Sequence, residues 1–204
     1  MTSPAGPSSC GRTWVLLEGT SDVAAVRALR ATRGVRPEDE PCRLVDMGGA
    51  TNIRRHLEAA RAADPHPTVV GLCDEREATF FVRALEALQE VPVDGGGGGG
   101  SLSVEDLPAH GFQVCRRDLE DELIRALGVD GSRAVLGEVG LHTAFAAFTR
   151  QPAWQGRPAH EQLRRFCGTS SGRKELLAAA LAGAIDEASC PPPLAALLDS
   201  MPLG

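Results

Sequence analysis

The chain has 204 residues, 43% hydrophobic and 24% charged, with a formal net charge of -6 at pH 7. That balance fits one globular domain, or one domain with a small appendage, and excludes wholesale disorder. The acidic surplus excludes a non-specific nucleic-acid coat, which needs a positive surface, but not an enzyme that holds cations in an acidic cleft.

Residues 1–12 are rich in Ser, Pro and Gly and predict a disordered N-terminus without the apolar core of a signal peptide. Trp14–Leu17 reads as a short buried strand. Glu18–Asp22 follows as a turn, with Ser21 or Asp22 as N-cap of an amphipathic helix over Val23–Arg33. The rhythm then repeats. Cys42–Val45 is a strand, Gly48–Asn52 a turn, and Ile53–Ala63 a helix closed by Pro65 and Pro67. Thr68–Cys73, ending at Asp74, is the clearest buried strand, and a helix over residues 77–90 follows it. Six consecutive glycines, Gly95–Gly100, make residues 92–103 a Gly-rich loop without the Lys-Ser/Thr ending of a phosphate-binding P-loop. Gly111–Cys115 is a further strand, and Asp118–Leu127 a helix capped by Asp118 and stopped by Gly128. From Ser132 the chain reads as helical, broken at Pro152, Gly156–Pro158, Gly168–Gly172 and Pro191–Pro193.

Alternating strands and helices predict an α/β fold with a mainly parallel sheet over residues 13–128 and a helical C-terminal extension over residues 129–204. The longest apolar run, Leu176–Ile185, is too short to cross a bilayer, so the expectation is a cytoplasmic protein with no membrane partner. The six cysteines stand far apart without a CxxC pair, which argues against a zinc knuckle and for buried thiols.

Ligands of a parallel α/β sheet gather beyond the carboxyl ends of its strands. Three acidic clusters fall there: Glu18 with Asp22, Asp74 with Glu75 and Glu77, and Asp118 with Glu120, Asp121 and Glu122. Such carboxylates repel one another unless a cation sits between them, and hard oxygen ligands favour Mg²⁺ or Mn²⁺. Two ions would stabilise the attacking and leaving oxygens of phosphodiester cleavage. The same residues also read as helix caps: Gly19–Asp22, Asp74 and Asp118 each suit that role, and Asp121 and Glu122 suit a solvated helix face.

The opposite charge lies further on. Residues 150–174 carry six basic side chains, including Arg164, Arg165, Arg173 and Lys174, against one acid, Glu161, for a local charge of +5. Lys174 is the single lysine beside 20 arginines. Gly168–Lys174 reads either as a polar loop before a helix or as a loop that offers hydroxyls such as Ser171, backbone amides and Lys174 to a phosphate.

Val15–Asp22, Val69–Asp74 and Asp118–Gly128 together resemble a Toprim domain, most closely that of the OLD-family ATP-dependent endonucleases. Gln151–Trp154, Gln162–Phe166 and Ser171–Lys174 resemble the tail of the same group. The resemblance implies a Rossmann-like Toprim fold and metal-dependent DNA cleavage. It implies catalytic roles for Glu18 and Lys174, and metal ligation by Glu18, Asp22, Asp74, Asp118 and Glu120. Glu77 is a further candidate ligand, because Arg76 stands where the family's Asp-x-Asp motif has its second acid. Arg164, Arg165, Ser171, Arg173 and Lys174 are the candidate DNA-phosphate contacts. The chain shows no Walker A sequence and hence no ATP site, so ATP-driven engagement would need a separately encoded ATPase.

Two rival readings remain. One is a catalytically degraded module, marked by Arg76, that binds DNA or an ATPase partner without cutting. The other is nucleotidyl transfer on the same fold. The absence of Tyr excludes a tyrosyl-linked topoisomerase reaction by this chain.

Overall fold

The computed structural model describes residues 13–88, 101–169 and 171–203, apart from the side chain of Ser171. The expected disorder over residues 1–12 and most of the Gly-rich loop lie outside the described residues. The strands are β1 (Thr13–Leu17), β2 (Arg43–Asp46), β3 (Thr68–Asp74) and β4 (Phe112–Cys115). The helices are α1 (Thr20–Thr32), α2 (Ile53–Ala63), α3 (Ala78–Leu88), α4 (Leu119–Glu138), α5 (His142–Thr149), α6 (Ala159–Cys167), α7 (Ser171–Gly183) and α8 (Pro192–Asp199). Among the described residues, no helix is long and apolar enough to cross a membrane.

The four strands form one parallel sheet in the order β2-β1-β3-β4. β1 is central, which explains its uninterrupted apolar run: every residue from Thr13 to Leu17 is buried. Its side chains alternate between two cores. Val15 and Leu17 join Val70, Leu72 and Cys115 under a layer formed by α1 and α4–α8. Trp14 and Leu16 join Cys73 and Phe112 under α2, α3 and a 3-10 helix at Val104–His110. The C-terminal helices therefore complete one face of the sheet. α7 buries Leu177, Ala178, Leu181 and Ala182 in the core that α1 shares. Arg30 of α1 clasps the C-terminal tail, donating to Glu40 Oε1 and to the Pro202 carbonyl, each at 2.8 Å.

Two local expectations are corrected. α1 begins at Thr20, with Gly19 rather than Ser21 or Asp22 as its N-cap. Asp22 lies one turn in, where its carboxylate accepts from the Gly19 N–H and the Ser21 hydroxyl, both at 3.2 Å. Gly128 kinks α4 instead of ending it: its φ of 69° breaks the helical path, and helix resumes to Glu138. The Ser132 hydroxyl donates to the Gly128 carbonyl at 2.7 Å and secures the new turn. The buried-thiol expectation holds for Cys42, Cys73, Cys115 and Cys167, which are buried, and the described cysteines form no disulfide with one another.

Close packing between β1, β3 and β4 leaves no room for a side chain at residue 71. A Cβ on Gly71 would stand 2.4 Å from the Leu16 carbonyl oxygen and 3.0 Å from the Phe112 ring. That ring is held edge-on against Phe81, with centroids 5.2 Å apart. Gly71→Ala should cost about 1–3 kcal/mol through overpacking. Thermal unfolding would then shift down by roughly 2–4 °C per kcal/mol. An unchanged midpoint would refute this account of the β1–β3–β4 packing.

Candidate metal centre

Strand order places a topological switch between β1 and β3: one crossover from β1 leads to β2, and the next passes back across β1 to β3. A crevice opens at such a point beyond the strand ends. Glu18 directly follows β1, and Asp74 is the last residue of β3. The Glu18 backbone is fixed by the loop after β2, whose Gly49 N–H donates to the Glu18 carbonyl at 2.9 Å.

Glu18, Asp74 and Glu77 converge, each offering a carboxylate oxygen within 4.8 Å of the other two. Arg76 is exposed, and the turn after β3 carries Glu77 inward instead. Glu75 remains exposed and accepts from the Arg117 N–H at 3.4 Å. Burial raises the pKa of Glu18 well above the usual carboxylate range, helped by a hydrogen bond with Glu77 and the charge of Asp74. Asp74 is pushed up to about 8 by burial and by the charges of Asp22, Asp118, Glu120 and Glu77. Glu77 Oε2 is buried and has no hydrogen-bond partner. An all-carboxylate donor set with an orphaned oxygen fits a hard divalent cation.

The other predicted ligands do not join this triad, and basic groups lie beside them. Glu120 and Asp22, 6% and 8% exposed, face Lys174 from the first turns of α4 and α1. Lys174 Nζ lies 3.4 Å from Glu120 Oε1. Burial raises both carboxyl pKa values and Lys174 opposes the rise, though burial prevails. Burial also works against the ammonium, but Glu120 and Asp22 outweigh it and hold the Lys174 pKa above the ordinary lysine value. Asp118 caps α4 by accepting from the Asp121 N–H at 2.9 Å. Its second oxygen accepts from Arg164 Nε at 2.7 Å and also from Nη2.

Arg164 thus pairs with an acid of the fold, and its side chain stays partly exposed. Arg173 lies over the Phe166 ring, 4.3 Å from its centroid. Arg165 is exposed. Ser171 opens α7, and its side chain lies outside the described residues.

Asp121 and Glu122 correct the reading of a solvated helix face, since both are 3% exposed. Asp121 accepts from His160 Nε2 at 2.8 Å, Arg125 Nε at 2.9 Å and Arg117 Nη1 at 3.1 Å. Burial raises its pKa, but the bonds from His160 and Arg125 outweigh that and leave it lowered. Arg117 also donates to Glu161 at 2.8 Å and joins α4 to α6. Its φ of 69° puts a non-glycine residue in the left-handed region beside the strand-end acids. Sequence reasoning missed this brace because no local spacing signals a contact between residues 117 and 161.

A parallel sheet of this order, with helices on both faces and acids at the switch point, defines a Rossmann-like Toprim fold with a helical C-terminal extension. The chain is similar in structure to the C-terminal region of the Burkholderia pseudomallei OLD protein, at 19% identity over 93% of this chain and 96% of that one, with a TM-score of 0.61. It is similarly related to the C-terminal region of the Xanthomonas campestris pv. campestris OLD protein, at 20% identity over 94% and 92% of the two chains, with a TM-score of 0.63. The likeness is one of fold. No protein-family model matches the sequence, and no curated protein matches it.

The raised carboxyl groups give a pH signature. Between the ordinary aspartate value near 3.8 and about 8, folded Asp74 keeps a proton that the unfolded chain releases. Stability therefore falls as pH rises through that window. In EDTA, the unfolding midpoint should drop from pH 5 to pH 8, and Asp74→Asn should drop less. Parallel profiles for the two proteins would contradict the crowding described here.

Proposed function

We propose that the chain is a Mg²⁺- or Mn²⁺-dependent DNA nuclease that hydrolyses phosphodiester bonds. The single observation carrying this reading is the convergence of Glu18, Asp74 and Glu77 at the strand-end switch point, with one buried oxygen unpartnered. The fold shared with OLD C-terminal regions supports it, as does the sequence resemblance to the OLD-family Toprim.

In this reading Glu18, Asp74 and Glu77 hold the cation, with Asp22 and Glu120 beside them. A bound divalent cation supplies Lewis acidity toward a phosphodiester oxygen. Lys174 is a compact ammonium on a flexible stem, 40% exposed, and reaches from Glu120 toward the crevice. It offsets negative charge that builds on the phosphoryl group as the bond breaks. Exposed Arg165 and neighbouring Arg173 bind the DNA backbone without reading sequence. Arg164 and Asp118 fix α6 against the start of α4 and so keep the basic segment beside the acids. ATP-driven engagement, if the chain takes part in it, comes from a separate ATPase, and the setting is the cytoplasm.

Conversion of supercoiled plasmid to nicked and linear forms in Mn²⁺ tests the reading. Glu18→Gln should lower the rate by about 10²–10³, the scale of losing one preorganised charge-stabilising group. Lys174→Met should lower the maximal rate more than the apparent affinity for DNA. DNA binding without any cleavage would favour the degraded module that Arg76 suggests, and equal cleavage by Glu18→Gln would remove Glu18 from the chemistry.

A further inference from the structure

α3 follows Glu77 directly and packs on the face of the sheet opposite the C-terminal helices. Ala78, Phe81, Val82 and Ala84 form its buried side. Its outer side shows Phe80 and Arg83, which are neighbours at i and i+3, and Arg76 stands exposed in the turn just before the helix. The Phe80 N–H donates to the Glu77 carbonyl at 2.9 Å, so this first turn begins at the acidic triad itself. Among the described residues, neither Arg76 nor Arg83 forms an ion pair. The nearest acids in sequence are engaged elsewhere. Glu75 accepts from the Arg117 N–H at 3.4 Å, and Glu86 accepts from the Ser101 hydroxyl and the Leu102 N–H, both at 3.0 Å.

We infer that Arg76, Phe80 and Arg83 form a track for an unpaired stretch of DNA strand beside the acidic crevice, with a base stacked on Phe80 and phosphates on the two guanidinium groups. The inference rests on the DNA-nuclease reading above and adds the substrate class, DNA with an unpaired segment at the site. Phe80, Leu176 and Leu203 are the exposed large hydrophobic residues among the described ones. Leu176 belongs to α7 and Leu203 follows α8, so Phe80 stands alone on its side of the sheet. A protein interface needs an apolar centre depleted of charge, which one ring between two arginines does not provide. The same composition suits a single strand, because the ring takes any base face and the cations follow the phosphates. Phe80 is only 36% exposed, so its ring is largely supported by the protein and offers a surface to stack on. In a duplex both faces of each base are already covered by its neighbours, so the strand that uses this ring is unpaired. The track starts two residues beyond Asp74, while Arg165 and Arg173 lie among the helices of the opposite face. A strand held on both sides passes over the triad.

Fluorescence anisotropy of the full chain in Ca²⁺ tests this with three labelled probes: oligo-dT, an abasic strand of equal length and charge, and the oligo-dT·oligo-dA duplex. The wild type should bind oligo-dT more tightly than the abasic strand. Phe80→Ala should weaken oligo-dT binding by about 5- to 150-fold, the scale of one base–aromatic stack, and leave the other two probes unchanged. Phe80→Trp should keep the preference for bases and Phe80→Leu should lose it. Arg83→Gln should weaken oligo-dT and the abasic strand alike and reduce the salt slope by about 0.7, as for one phosphate contact on a single strand. Oligo-dT binding untouched by Phe80→Ala, or an equal loss on the abasic strand, would overturn the inference and leave the nuclease reading intact. So would a concentration-dependent sedimentation of the wild type that Phe80→Ala abolishes while oligo-dT binding is unchanged, which would assign Phe80 to a contact with a second copy. If Phe80→Ala does not fold, the contrast between Phe80→Leu and Phe80→Trp decides. Failure of the wild type to bind any of the three probes would instead defeat the DNA reading itself.

Discussion

Mutual repulsion among carboxylates at the ends of neighbouring parallel strands is the constraint on which the rest of the structure depends. β1 pairs with β3, and β3 with β4, all in one direction, so residues that follow these strands emerge at one edge. Glu18, Asp74 and Asp118 are brought together by that topology. Burial makes their charge costly, and proximity makes it costlier. The fold answers in three ways. Burial and the neighbouring acids hold the Glu18 pKa well above the usual carboxylate range, which takes one charge out of the cluster. Asp22 and Asp118 accept backbone N–H groups at helix starts, where the helix dipole favours negative charge. Lys174 and Arg164 bring positive charge from the C-terminal helices.

The third answer explains why the C-terminal helices pack where they do. They cover one face of the sheet and also position the cations that make six clustered acids tolerable. A buried ion pair contributes little net stability, because desolvation offsets much of the attraction. Removing one partner is another matter, since the remaining charge is stranded. The core contacts of α7 therefore hold Lys174 against a site that would be strongly repulsive without it. Arg117, in its left-handed conformation, ties α4 to α6 for the same end, through Asp121 and Glu161.

What the sequence disclosed follows from the range over which each signal acts. β1 and β3 were legible because central parallel strands read as apolar runs, and Asp118 because an N-cap is a local pattern. Strand-end position alone was enough to gather Glu18 and Asp74. The start of α1 is hard to place from the sequence because Gly19 and Asp22 share the capping work, and a glycine carries no side chain to advertise it. Gly128 reads as a stop because glycine at such a position signals departure from the helix, while resumption depends on Ser132 and on packing. Pairings such as Arg164 with Asp118, or His160 with Asp121, span 46 and 39 residues, and nothing in composition or periodicity predicts them. The net charge of -6 concealed the same fact, because the acids and the +5 segment that meets them lie far apart along the chain.

Arg76 shows how little a motif's spacing says without the turn that carries it. In an Asp-x-Asp pattern the second acid lies two residues beyond the strand end, and here that position is an exposed guanidinium. A site read from the motif alone would be one carboxylate short. The turn after β3 instead presents the residue three beyond Asp74, just before α3 begins at Ala78. Glu has one methylene more than Asp, so a carboxylate set one residue further along can still reach the other two. The geometry needs an oxygen at a point in space, and side-chain length can compensate for a shift in register. The same turn sends Arg76 outward, so a substitution that would bury a positive charge among the acids places it at their rim instead.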